Sequence, residues 1–167
     1  MKRSAIGVLT SLLTFVLIFP VGANYDKAYA AAQNDDYKTA FAEWEKLAQK
    51  GDMHVQATLA VLYHSGQGVK KDYEKAFYWY KKAAEQGNAA SQANLGVMYA
   101  KGTGTKQNMI ESYAWYSVAA SAQKDKKLGN TLWGLESTTA QLTPKDLEKA
   151  KQLSTQYLKK YLKSDKK

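Results

Sequence analysis

Two residue pairs in this sequence have the spacing of a catalytic serine and its lysine. Ser121 with Lys124 and Ser164 with Lys167 both read Ser-x-x-Lys, the arrangement that holds the nucleophile of β-lactam-recognising enzymes. Those enzymes also carry Ser-Asp-Asn and Lys-Thr-Gly segments, and neither occurs in this chain. Serine and lysine are both frequent here, so chance matches are expected. We predict that the protein is not an enzyme.

Metal and cofactor chemistry also lacks the residues it needs. His54 and His64 are the only histidines and the chain has no cysteine, so no metal-ligand set with the usual spacing is present. Residues 66–68 and 102–104 both read Gly-x-Gly, but a phosphate-binding loop needs a preceding strand and a following lysine–hydroxyl pair. We predict turns at both segments, and no metal or cofactor.

The chain repeats itself with a period of 36 residues. When residues 51–86 are aligned with residues 87–122, 13 of the 36 positions are identical. A period of this size is typical of a stack of small units, each of which buries its apolar face only against its neighbours. Such a stack offers an extended surface for holding a partner rather than a pocket for transforming a substrate.

Each unit is predicted to be a pair of antiparallel helices. Apolar residues recur at helical spacing over 53–65 and 89–101, which are the expected first helices. Gly66 and Gly102 suit the left-handed conformation that ends a helix.

The second helices have their own start signals. Asp72 and Asn108 are expected to cap them, and Asn108 with Glu111 has the spacing of a capping box. The helix after Asp72 should stop at Gly87. The Trp and Tyr residues that recur with the period are predicted to pack the core; these are Tyr63, Tyr80, Tyr99, Tyr116, Trp79 and Trp115.

The pattern continues weakly on both sides of the two clear units. Upstream, residues 36–51 repeat the second-helix pattern and residues 25–32 should form the helix before it. Downstream, residues 126–140 occupy a degenerate first-helix position, and proline in Thr143-Pro144 opens a last helix over 144–163. We predict an all-α solenoid of about three repeats over residues 24–163, closed by this capping helix, with a basic tail at 164–167.

The N-terminal segment has the features of a secretory signal. Lys2 and Arg3 precede an apolar run over residues 5–19, and Val21 and Ala23 fit cleavage after Ala23. The apolar run is shorter than the roughly 20 residues that span a bilayer. We predict a signal peptide over 1–23 and a periplasmic or secreted protein; an uncleaved anchor is the alternative.

The positive charge is concentrated in the last quarter of the chain. Residues 24–123 hold 11 lysines and 10 acidic residues, whereas residues 124–167 hold 11 lysines and 5 acidic residues. No arginine follows Arg3, and arginine is the residue that reads phosphates and bases best. We expect no nucleic-acid partner, a monomer, and at most weak contact of the basic C-terminal helix with an anionic membrane surface. A scaffold that docks on an anionic envelope surface through this helix is an alternative function.

The repeat resembles a known family. Residues 93–99 (Ala-Asn-Leu-Gly-Val-Met-Tyr), 66–72 and 75–87 are similar to the motifs of the Sel-one-like repeat family, relatives of the tetratricopeptide repeats. The second unit departs from that pattern at Thr105, Gln107, Asn108 and Gln123. The resemblance implies a right-handed α/α superhelix that makes protein–protein contacts in envelope assembly or signalling. A cysteine-rich branch of the family is linked to β-lactam hydrolysis, which keeps a β-lactam-recognising cell-wall enzyme as an alternative.

The same resemblance implies a binding surface. In tetratricopeptide units the first helix of each pair lines the concave face, so its outward positions are the candidate partner-binding residues. Trp133 extends this row on the degenerate first helix, with burial under the capping helix as the alternative. The candidates are His54, Thr58, Val61, His64, Ala90, Asn94, Val97, Lys101 and Trp133.

Overall fold

The computed structural model describes residues 23–122 and 129–161. Within these ranges the chain forms eight α-helices and no strand, which confirms the all-α prediction. The expected signal up to residue 22 and the basic tail lie outside the described residues. The helices are α1 (Ala23–Gln33), α2 (Tyr37–Gln49), α3 (Met53–Ser65), α4 (Tyr73–Glu85), α5 (Ala89–Lys101), α6 (Met109–Ala122), α7 (Gly129–Thr139) and α8 (Pro144–Tyr161).

The helices pair in chain order and the pairs stack. α1 packs on α2, α3 on α4 and α5 on α6, while α2 contacts α3 and α4 contacts α5. The odd-numbered helices are therefore the first helices of an α/α solenoid and the even-numbered ones the second helices. Leu59 and Leu95 on the first helices are 0% exposed, and Ala76 and Ala84 on α4 let the backbones approach closely.

The recurring aromatic residues pack in the core, as predicted. Tyr63, Tyr80, Trp115 and Tyr116 are buried, and Trp79 and Tyr99 are partly buried against the same cluster. Phe41 meets Tyr63 edge to face at 5.4 Å, and one period later Phe77 meets Tyr99 in the same way at 5.2 Å.

The helix ends follow the predicted signals with one exception. Gly66 and Gly102 are left-handed and end α3 and α5, and the Asp72 carboxylate accepts a hydrogen bond from the Lys75 amide. Asn108 also caps α6 through its side chain, but the expected capping box with Glu111 is wrong. The Asn108 backbone amide donates to the Tyr99 carbonyl. The Glu111 carboxylate instead accepts a hydrogen bond from the Tyr157 hydroxyl of α8.

The second glycine of each Gly-x-Gly turn lies against the preceding unit. Gly68 has φ +71°, and a Cβ added there would lie 2.7 Å from the Tyr37 Cβ; one period later, a Cβ on Gly104 would overlap the Tyr73 carbonyl. Tyr37 and Tyr73 are the first residues of α2 and α4. Each turn therefore packs directly on the start of the previous second helix.

Glutamines tie the first helices α3 and α5 to the second helices before them. The Gln56 amide donates to the Ala48 carbonyl, and the Gln92 amide donates to the Ala84 carbonyl, both at 3.1 Å. The Gln56 oxygen also accepts from Gln86. The Gln92 oxygen has no hydrogen-bond partner among the described residues, because the position one period after Gln86 is an alanine.

The last helix is displaced from the repeat pattern. Pro144 opens α8 as predicted, but α8 packs on α6 rather than beside α7. The Trp115 ring stacks on Tyr161 at 5.3 Å and contacts Tyr157 at 4.8 Å, and the Tyr157 hydroxyl donates to the Glu111 carboxylate at 3.0 Å. The capping helix therefore covers the second-helix row, and no helix of the described ranges covers one side of α7.

α7 packs on α6 through a stripe of small residues. Thr131, Gly134 and Thr138 are its buried residues, and the Thr138 hydroxyl lies 3.2 Å from that of Ser112. The Tyr116 ring leaves room only for a glycine at position 134. A Cβ on Gly134 would overlap the hydroxyl end of this ring, and a Cβ on Gly96 of α5 would lie 2.8 Å from its base. One aromatic side chain thus separates two successive first helices.

Candidate binding surface

The residues with catalytic spacing form no site in the described part of the chain. The Ser121 hydroxyl donates to the Ser117 carbonyl one turn earlier, at 2.9 Å. Lys124 and the 164–167 pair lie outside the described residues. Within 23–122 and 129–161 no group of three or more His, Cys, Asp or Glu side chains could hold a metal ion. In the same ranges no helix has the length and apolar character to cross a bilayer.

The candidate residues on α3 and α5 share a helix face because they recur at intervals of three and four. We call them the first-helix row. Ala90 and Lys101 are exposed and the other members are half-buried. The Lys101 charge helps to lower the pKa of His64, so the ends of α3 and α5 lie within electrostatic reach. The row consists of His54, Thr58, Val61 and His64 on α3 with Ala90, Asn94, Val97 and Lys101 on α5.

Some members of the row are engaged inside the protein. The Thr58 hydroxyl donates to the His54 carbonyl, and Val61 packs partly against the core. The His64 ring makes edge contacts with Tyr73 and Tyr80 at 5.2 and 6.2 Å, so it faces α4. On α5, Ala90 and Lys101 are exposed, so α5 contributes more of the outer surface than α3.

Both histidines of the row are neutral at neutral pH. Burial lowers the pKa of His64, and the charges of Lys71 and Lys101 lower it further. Burial also lowers the pKa of His54, although the nearby Asp52 carboxylate opposes that effect. Neutral imidazoles both donate and accept hydrogen bonds, so the row offers polar recognition without fixed positive charge on α3.

Trp133 is 70% exposed, the largest exposed fraction among the large apolar side chains of the described residues. The alternative of burial under the capping helix is wrong, because α8 packs on α6 instead. Leu132 beside it is 49% exposed, and the exposed Glu136 lies on the same side of α7. Sequence reasoning missed Leu132, since a leucine in an apolar helix is normally a core residue.

A shallow cleft lies at the loop edge of the stack. It has a volume of about 540 Å³ and is lined by residues that include Tyr63, Lys71, Tyr73, Lys75 and Gly104. Two of its three lysines lie over aromatic rings: Lys71 over Tyr73 at 5.8 Å and Lys75 over Tyr63 at 5.2 Å. Lys70, Asp72 and Glu74 share the lining, so the cleft carries mixed charge.

The lysines of α8 point outward, as predicted, but several are paired. Lys149 binds Asp146 and Lys151 binds Glu148, both at 2.9 Å, and Lys160 lies over the Tyr161 ring. Lys159 is exposed, and Lys163 lies outside the described residues. Exposed pairs of this kind contribute little stability, yet they reduce the net positive charge that α8 presents to an anionic surface.

Comparison with known proteins agrees with this architecture. The Sel1 repeat model matches residues 55–88 and 89–124. A protective antigen present in uropathogenic Escherichia coli strains, which displays an SLR fold, is 32% identical with a TM-score of 0.73; the match covers 83% of this chain and 30% of that one. A Sel1 repeat protein from Oxalobacter formigenes is 28% identical with a TM-score of 0.62, over 80% of this chain and 55% of that one.

This chain therefore spans less than two thirds of either solved structure. No protein of curated function matches it. The two matched repeats and the shared solenoid agree with the 36-residue period, the Gly-x-Gly turns and the paired helices. Sel1 repeats generally mediate protein–protein interaction, and this chain belongs to the Sel1-like repeat family.

Proposed function

We propose that this protein is an exported, non-catalytic scaffold that binds a protein or peptide of the bacterial envelope through its first-helix row. The N-terminal signal pattern supports export to the periplasm. The repeat family supports protein binding, and the Ser121 hydroxyl is engaged with its own helix. The family resemblance, together with export, supports a role in envelope assembly or signalling.

The observation that carries the proposal is a contrast within the repeat. The buried positions Leu59 with Leu95 and Gln56 with Gln92 are identical between the units, while three other buried positions differ: Val55 with Ser91, Ala60 with Gly96 and Leu62 with Met98. Two outward positions of the row also differ: His54 pairs with Ala90 and Thr58 with Asn94. The shared buried positions hold the stack together, and the differing outward positions give each unit its own surface chemistry.

The row is short, which limits the expected affinity. Two complete units and α7 offer a contact surface at the low end of specific interfaces. Association also costs translational and side-chain freedom. We therefore expect a dissociation constant on the order of micromolar rather than nanomolar.

The test removes side chains from the middle of the row. The double variant Val61→Ala with Asn94→Ala should abolish recovery of envelope partners in periplasmic crosslinking while the helical circular dichroism stays unchanged. A matched control is Val69→Ala with Asn34→Ala, which changes the same residue types outside the row. Unaltered partner recovery with the row variant would show that the site is placed wrongly.

A further inference from the structure

Within the described residues, α7 is a first helix with an uncovered apolar side. In α3 and α5 the leucines that face the neighbouring helices, Leu59 and Leu95, are 0% exposed. In α7 the buried residues are limited to the small stripe toward α6. We call the opposite side, formed by Leu132, Trp133 and Glu136, the open face.

We propose that the open face binds an amphipathic helix of a partner protein, laid antiparallel to α7 as α4 lies beside α3. This deepens the proposed function and rests on it, since it names the kind of partner segment. The fold itself describes the occupant: α4 covers α3 with small and aromatic side chains such as Ala76 and Tyr80. A helix of that kind would cover Leu132 and Trp133 and complete the last unit.

Charge complementarity narrows the partner further. Glu136 lies on the open face, and no ion pair engages its carboxylate among the described residues. α7 carries no basic residue. A partner helix with a lysine or arginine beside its apolar stripe would therefore supply the missing cation.

A second copy of this chain fits the open face poorly. A tryptophan side chain offers at most about 250 Å², so a dimer held by Leu132 and Trp133 would bury far less than the roughly 1,200 Å² of a stable interface, whereas a weakly bound helix does not need that area. Two α7 helices face to face would also bring together two Glu136 carboxylates without a basic residue of α7. The C-terminal end of α8 cannot cover the face either, since the Tyr161 carbonyl lies beside Gly87 at the end of α4.

The experiment uses the protein's own second helix as the probe. A fluorescently labelled peptide of residues 73–86 carries the apolar face of α4 and three lysines. Titrated with the protein, it should bind with a dissociation constant on the order of 10–100 µM. Trp133→Ala should weaken binding by at least about tenfold, and Glu136→Lys should weaken it at low salt. Tyr78→Ala, which removes another exposed aromatic ring on α4, should have no effect.

Three results would overturn the proposal. They are equal binding by Trp133→Ala and the unchanged protein, binding of the peptide no stronger than that of a scrambled peptide, and a dimer in sedimentation that Trp133→Ala dissociates. If the open-face variants have no effect on peptide binding while the Val61→Ala with Asn94→Ala variant loses its envelope partners, this proposal fails and the proposed function stands.

Discussion

Gly104→Ala tests the contact that holds successive units at a fixed distance. Gly104 has φ +70°, a backbone conformation that an alanine adopts only with strain. The added Cβ would also overlap the Tyr73 carbonyl and lie 3.1 Å from the Glu74 amide. These are backbone atoms at the start of α4, so no side chain can move aside to relieve the overlap.

The expected loss of unfolding free energy in Gly104→Ala has two parts. Holding alanine in the left-handed region costs about 1–2 kcal/mol, and the overlap with a packed neighbour costs about 1–3 kcal/mol more. The sum of about 2–5 kcal/mol is a large share of the 5–15 kcal/mol that stabilises a typical domain. Gly51→Ala separates the two parts, because Gly51 has φ +96° with nothing within 4 Å of an added Cβ. The Gly51→Ala variant should lose only the part of the unfolding free energy that comes from backbone strain.

Urea unfolding followed by far-UV circular dichroism measures these free energies. Gly129→Ala is the second control, since Gly129 has neither a positive φ nor a neighbour within 4 Å of an added Cβ; its unfolding free energy should change little. If Gly104→Ala costs no more than Gly51→Ala, the turn can move away from α4 and the contact does not set the distance between units.

Two further predictions concern the core. Trp115→Ala should lower the unfolding free energy by about 3–5 kcal/mol, because Trp115 is 2% exposed, whereas Trp133→Ala should change it by less than about 0.5 kcal/mol; similar losses in urea titrations would contradict the placement of α8. The free energy of unfolding should fall as pH rises from 10 to 12, because burial raises the pKa of Tyr80 to about 12. Over this range the Tyr80 phenol stays protonated in the folded state and loses its proton in the unfolded state. Melting temperatures across that range should decline, and up to about 2–3 kcal/mol of unfolding free energy should be lost through Tyr80. A melting temperature that does not change with pH would refute this role of Tyr80.

The repeat units could be predicted from sequence because each unit carries local signals twice. The bounds of α3 and α5, the left-handed Gly66 and Gly102 and the cap at Asp72 all follow from residue types at fixed offsets. The second glycine of each turn was also visible as a repeated residue. Its contact with Tyr37 or Tyr73 was not, because that contact joins residues 31 positions apart.

The end of the stack could not be predicted in the same way. The pattern of α8 shows an apolar stripe but not which helix it covers, and its packing on α6 depends on Trp115, Tyr157 and Tyr161 meeting in three dimensions. The exposure of Trp133 follows from that placement. Glu111 is expected to reach back to the Asn108 backbone amide, but that amide donates to the Tyr99 carbonyl and the Glu111 carboxylate accepts from the Tyr157 hydroxyl. In both cases a long-range contact decided the outcome.

The Tyr116 contact has a consequence for how the surface of this protein can evolve. The spacing and tilt of α7 relative to α5 depend on one ring and the two glycines, Gly96 and Gly134, that admit it. A substitution at position 116 would therefore reorient Trp133 without changing any surface residue. The curvature of a solenoid is the sum of such per-unit rotations, so the shape of the binding surface can drift through a single interior side chain.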